Sequence, residues 1–202
     1  MISASKPSRP DIQHAHEAIR TLLAYIGEDP DREGLRDTPQ RVVKAWIEMT
    51  SGTLADPANH LRKCFALEDS ECGLGTYDQL ILSKNIPFVS NCEHHMLPFT
   101  GEAHIAYIPA LEGRVVGLSK LARLVEGYAL RLQIQERLTQ QIADALQSEL
   151  KPRGVAVIVN GQHTCQCNRG VKKNGHMTTS ALYGLFREEA SVRSELLELI
   201  KL

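Results

Sequence analysis

From Tyr77 onward the pattern of apolar residues changes between strand-like runs and helical stripes, and the order of the changes limits the folds open to this chain. Leu80 to Val89 and Glu102 to Ile108 read as strands. Leu121, Leu124, Val125, Tyr128 and Ala129 then form a helical stripe, and Leu138, Ile142, Ala145 and Leu146 form a second, which Lys151-Pro152 ends. Val155 to Val159 is a β-branched run, Met177 to Phe186 is a further strand, and Ser191 to Leu202 closes as a helix. Strand, strand, helix, helix, strand, strand predicts an α+β fold built on an antiparallel sheet.

The front of the chain obeys a different rule. After a disordered tail over residues 1–10, Ala15, Ile19, Leu22, Leu23 and Ile26 place one apolar face on a helix from Ile12 to Ile26. Thr38-Pro39 opens a second helix, with Thr38 as N-cap, Pro39 at the first helical position and Val42, Val43, Trp46 and Met49 as its apolar face. Gly52 stops it, and Asp56-Pro57 starts a short third helix. The expected organisation is a tail over 1–10, a helical lobe over 11–75 and an α+β domain over 76–202 with a C-terminal helix.

Composition excludes several function classes. A formal charge of −1 on 202 residues gives no broad attraction to nucleic acid or to an anionic membrane, so phosphate binding needs a local basic cluster. Five cysteines argue against a purely disulfide framework. Met1 to Pro10 has no apolar core of a secretory signal, and no run approaches the ~18 apolar residues of a membrane span. A cytoplasmic protein is expected, in which clustered cysteines bind metal or do chemistry.

Two such clusters stand out. Cys92-Glu93-His94-His95 offers a thiol and an imidazole three positions apart, and His163-Thr164-Cys165 supplies another thiol. Cys92, His95 and Cys165 would hold one zinc ion with an open fourth position, where a water loses a proton near neutral pH. Alternatively, the cysteines are small buried hydrophobes, or Cys167 adds a fourth ligand and closes a structural centre; on a strand, however, Cys165 and Cys167 point to opposite faces. His94 and His163 adjoin the ligands and can serve as general acid or base, or as structural histidines. Ser119 stands at a helix N-terminus with Lys120 and Arg123 on its first turns, which makes either a phosphate site or a solvated basic face. Arg41 and Arg169 are further cations without a place. Gln135 and Glu136 begin a helix; Glu136 can cap it, pair with Arg137 or Lys120, or accept hydrogen bonds from a purine edge. Cys64, Cys72, His14, His16, His60 and His104 read as structural or incidental.

Taken together, Cys92 to Phe99, Gly101 to Pro109, Gly117 to Lys120, Gln135 to Thr139, His163 to Cys165, Arg169 to Val171 and Thr179 to Arg187 resemble the GTP cyclohydrolase I family, as does Thr38 to Arg41. The resemblance runs from about residue 12 to the C-terminus. It implies a helical N-terminal part followed by a tunnelling-fold (T-fold) domain, assembled as a homodecamer of two pentamers with active sites between subunits. It further implies conversion of GTP and water to 7,8-dihydroneopterin triphosphate and formate, at the start of folate or biopterin synthesis. By matching motif, Cys92, His95 and Cys165 would bind one zinc per subunit, and His163 and His94 would move protons at the purine nitrogen and the ribose oxygen. Lys120, Arg123, Arg169 and Arg41 would bind triphosphate, Ser119 would lie near the ribose, and Gln135 and Glu136 would read the guanine edge. Two other outcomes are a nitrile reductase on the same fold, which needs a metal-free nucleophilic cysteine and a nicotinamide site, and a non-catalytic zinc-stabilised assembly. Cys167 and His176 are departures to which the resemblance gives no role, and Glu93 has none either.

Overall fold

The computed structural model describes residues 10–62, 64–66, 77–111 and 114–202. The tail expected over 1–10 (Pro10 apart), Cys72 and the side chain of Cys64 lie outside the described residues. The chain divides into two compact units, residues 1–49 and 50–202.

The first unit is a pair of helices, α1 (Ile12–Tyr25) and α2 (Thr38–Met49). Asp11 caps α1 by accepting a hydrogen bond from the Gln13 amide at 3.1 Å. The second helix begins at Thr38 itself, one residue earlier than an N-cap there predicts. The apolar stripes read from the sequence are only half-buried: Ala15, Ile19 and Leu23 on α1, and Val42, Val43, Trp46 and Met49 on α2. Leu22 and Ile26 remain exposed.

In the second unit Pro57–Arg62 forms a 3-10 helix where a short helix was expected, and the region expected to be a helical lobe also contributes β1 (Cys64–Ala66), which pairs antiparallel with β4 (Arg114–Val116). The main sheet has five strands in the order β5-β2-β3-β6-β7, namely β5 (Leu132–Gln133), β2 (Ile81–Cys92), β3 (Pro98–Ile108), β6 (Gly154–His163) and β7 (Met177–Gly184). β2, β3, β6 and β7 are antiparallel neighbours, as expected, whereas the two-residue β5 runs parallel to β2. Helices α3 (Leu118–Ala129) and α4 (Gln135–Leu150) intervene between β4 and β6, so the strand–strand–helix–helix–strand–strand order holds. After β6 come the single turn α5 (Thr164–Cys167), then β7, the short α6 (Leu185–Glu188) and α7 (Ala190–Lys201).

Alternation along the strands divides the core. Ala103, Ile105 and Tyr107 of β3 and Val155, Val157 and Val159 of β6 pack with Leu121, Leu124, Leu138, Ile142 and Leu146 of α3 and α4. Their neighbours Ala106, Ile108 and Ala156 pack on the other side with Phe186 and Leu196. Each fully buried large apolar side chain contributes about 1.5–3 kcal/mol, which makes the α3–α4 side the principal source of stability. Strand β7 stops at Gly184, earlier than the sequence pattern suggests. The residue has φ +52°, and a Cβ there would collide with the Arg153 carbonyl, so the chain turns into α6 where only glycine fits.

Candidate active site

One end of the sheet gathers both cysteine–histidine clusters. Strands β2 and β3 are joined by a tight turn in which the Cys92 amide donates to the Leu97 carbonyl (2.8 Å), while the His95 and Met96 amides donate back to the Cys92 carbonyl (3.3 and 2.8 Å). Met96 sits at φ +54° to complete it. The Glu93 amide donates to the Gln133 carbonyl at 3.0 Å, so β5 brings the start of α4 against this turn. Register does the rest: Phe99 pairs with His163 across β3 and β6, and the Thr164 hydroxyl donates to the Pro98 carbonyl at 2.5 Å.

The result is a cavity of about 230 Å³ lined by Cys92, His94, His95, Gln133, Ile134, Gln135, Glu136, His163, Cys165, Gln166 and Met177. Ligand atoms of Cys92, His95 and Cys165 lie within 4.8 Å of one another, and Cys92 Sγ is 3.8 Å from His95 Nδ1. Two thiols and an imidazole are a donor set suited to zinc. Burial, with the neighbouring Cys92 thiol adding to it, pushes the Cys165 thiol up from its ordinary range. A dication between the thiols would reverse that effect by favouring both thiolates, so the residues fit a metal. Cys167 is outside the group. The Cys165–Cys167 segment is a helical turn and not the expected strand, but residues two apart on a helix are still rotated by about 200°.

Arg169 joins the cluster through Nη1, 3.1 Å from His95 Nε2. His94 is largely exposed beside it. His163 stacks on Phe99, with ring centroids 4.4 Å apart and planes 6° from parallel. Burial lowers its pKa, and the Glu136 carboxylate partly opposes this. Glu136 is exposed at the start of α4. Arg137 turns to Glu93, donating to Oε2 from Nη1 (2.7 Å) and Nη2 (2.5 Å). Glu93, for which the sequence offered no role, thus ties the Cys92–His95 turn to α4. Its position between two cavity residues was the available signal, but the partner lies 44 residues away.

Ser119, Lys120 and Arg123 are not among the residues that line this cavity. Ser119 and Lys120 occupy the first turn of α3, and Arg123 lines a separate apolar cavity of about 540 Å³ with Ile86, Phe88 and Glu126. Arg41 belongs to the first unit, where it pairs with Asp37 at 3.1 Å. Gln133, Ile134, Gln166 and Met177 line the cavity without having been predicted. Gln133 Oε1 is buried with no hydrogen-bond partner among the described residues.

Comparison with known proteins then decides the family. The sequence profile described as GTP cyclohydrolase I matches residues 15–201. The chain belongs to the GTP cyclohydrolase I family. It is 51% identical over 184 residues to a GTP cyclohydrolase 1 of Carboxydothermus hydrogenoformans, covering 91% of each chain. With a GTP cyclohydrolase 1 of Mycobacterium leprae it shares 53% over 191 residues, covering 94% of this chain and 89% of that one. Among solved structures, the archaeosine synthase QueF-Like in its apo form aligns with a TM-score of 0.40 at 19% identity, over 50% of this chain and 92% of that one. Membership of the GTP cyclohydrolase I family makes the chain an enzyme and its sheet-and-helix domain a T-fold, as the motifs implied. Among the described residues, no helix is long and apolar enough to cross a membrane.

Proposed function

We propose that this chain converts GTP and water to 7,8-dihydroneopterin triphosphate and formate, the first step of tetrahydrofolate or related pterin synthesis, in the cytoplasm. The observation that carries the reading is the convergence of Cys92, His95 and Cys165 at a cavity also lined by His94, Glu136 and His163. Cys92, His95 and Cys165 hold one zinc per subunit, which supplies Lewis-acid activation of water at neutral pH. His163 moves a proton at the purine nitrogen during opening of the five-membered ring, and His94, exposed at the rim, moves one at the ribose oxygen. Glu136 accepts hydrogen bonds from the guanine N–H edge. Gln135 borders the same cavity, but its carboxamide is already committed within the chain, so it serves the base only indirectly.

Arg169, beside His95, meets the triphosphate together with Lys120, Arg123 and Arg41, and Ser119 lies near the ribose. A triphosphate carries about four negative charges at neutral pH, more than one arginine neutralises. Because Ser119, Lys120 and Arg123 do not line the metal cavity of their own chain, we place them in the site of a neighbouring subunit, within a homodecamer of two pentamers. The apolar cavity beside Arg123 and the exposed Leu22, Ile26 and Ile47 support assembly.

Metal analysis combined with a formate assay on GTP tests the proposal. Wild type is expected to carry about one zinc per chain and to release formate, and Cys165→Ala to lose both. Full formate release from metal-free Cys165→Ala would sink it.

A further inference from the structure

Gln135 is 1% exposed, and every polar atom of its carboxamide is used. Nε2 donates to the carbonyls of Val159 (3.0 Å) and Met177 (2.8 Å) and approaches the Thr179 hydroxyl at 3.2 Å. Oε1 lies 2.9 Å from His163 Nε2. The orientation of this amide is fixed by its surroundings. Flipped, it would set Oε1 against two carbonyl oxygens, which cannot donate. The hydroxyls agree with this direction: Thr139 donates to the Gln135 carbonyl at 2.8 Å, so in the 2.6 Å contact between the two threonines Thr179 is the donor. Thr179 Oγ1 is then left to accept from Gln135.

We infer that Gln135 is a positioning residue that holds His163 as the Nε2–H tautomer, leaving Nδ1 as the nitrogen that exchanges protons with substrate. An acceptor at Oε1 requires the imidazole to donate from Nε2, so the neutral ring carries its lone pair on Nδ1. The stack on fully buried Phe99 fixes the ring plane, and the carboxamide fixes rotation within that plane. Gly161 keeps the place open, since a Cβ there would lie 2.6 Å from Gln135 Oε1. The inference rests on the assignment of His163 as a proton carrier.

The test compares metal-loaded wild type, Gln135→Met, His163→Ala and the double variant, measuring kcat, the Kd for GTP and the 15N signals of the His163 ring. Gln135→Met is expected to lower kcat by roughly 10–100-fold through misplacement of the ring, to leave the Kd within about twofold, and to have no further effect on a His163→Ala background. Wild-type 15N signals should report a protonated Nε2, and Gln135→Met a mixture of tautomers. A raised Kd with kcat intact would mean that Gln135 touches the base and would overturn the inference, as would equal losses in both backgrounds. If His163→Ala keeps full turnover, the proton-carrier role fails, and the ring signals still decide whether Gln135 sets the tautomer. Should Gln135→Met not fold, Gly161→Ala displaces the carboxamide instead; unchanged kcat and ring signals in that variant would count against the inference.

Discussion

His104 and His163 lie on adjacent strands of one sheet, both half-buried, and burial pushes both imidazoles toward the neutral form. They differ in what they meet. His104 points to the opposite side of the sheet from the neighbouring Ile105, and its Nδ1 accepts the Asn85 amide at 3.3 Å. Asn85 sits at φ +56° in a bulge of β2, so His104 satisfies a backbone group that the irregular ladder leaves over. His163 lines the cavity, stacks on Phe99 and leans on a side-chain amide. Burial and a shifted pKa therefore do not tell these two histidines apart. The identity of the partner and access to a cavity do.

The largest expected effect breaks the pair apart directly. His163→Ala should lower formate release by about 10²–10⁴-fold, the range for loss of a general acid or base, while His104→Ala stays within a few-fold of wild type. Comparable losses in the two variants would remove the distinction. Next comes the salt bridge behind the Cys92–His95 turn. Arg137→Leu frees Glu93, and zinc affinity should fall by roughly 10–100-fold, as for loss of an outer partner of a metal site; competition with a chromophoric chelator measures it.

A smaller effect is expected from the ladder that seats His163. Gly101 faces Gly161 across β3 and β6, and a Cβ at Gly101 would strike the Asn160 carbonyl. Gly101→Ala should force the strands apart and cost about 1–3 kcal/mol, read from denaturant midpoints. The smallest effect isolates His104. Its folded pKa lies below the ordinary 6.5 because burial disfavours the charged ring and Lys84 adds to this, against the pull of Glu102. The unfolded chain therefore takes the extra proton first. The contribution of the neutral ring is complete above pH 6.5 and is lost as pH falls below it toward the folded pKa. Between pH 7 and 5, His104→Asn should lose less stability than wild type. A parallel decline in both proteins would show that His104 does not titrate differently on folding.

Much of this architecture is legible in the primary structure because period-two and period-3.6 patterns report which face of an element is buried. The α3 and α4 stripes lie in the core, Tyr128 in part, and the segments read as strands at Glu102 to Ile108 and Val155 to Val159 form β3 and β6. The boundaries move where a single backbone requirement outranks the pattern, as at Gly184 and at the start of α2. Short β5 has two residues, too few to show any period, although it carries Gln133 and leads into α4 beside the Cys92–His95 turn.

The candidate site divides in the same way. The sequence alone determined the donor chemistry: a Cys-x-x-His pair, a second thiol beside a histidine and the motifs of the family, all of which are local in the chain. Only the tertiary structure decided which neighbours those groups keep. Strand register sets Phe99 against His163, β5 sets α4 against the turn, and residues 28 and 44 positions apart become the pairs His163–Gln135 and Glu93–Arg137. Hydrogen bonds form between atoms about 3 Å apart whatever their separation along the chain, so the roles of Gln135 and Glu93 became readable only once the sheet had closed that distance.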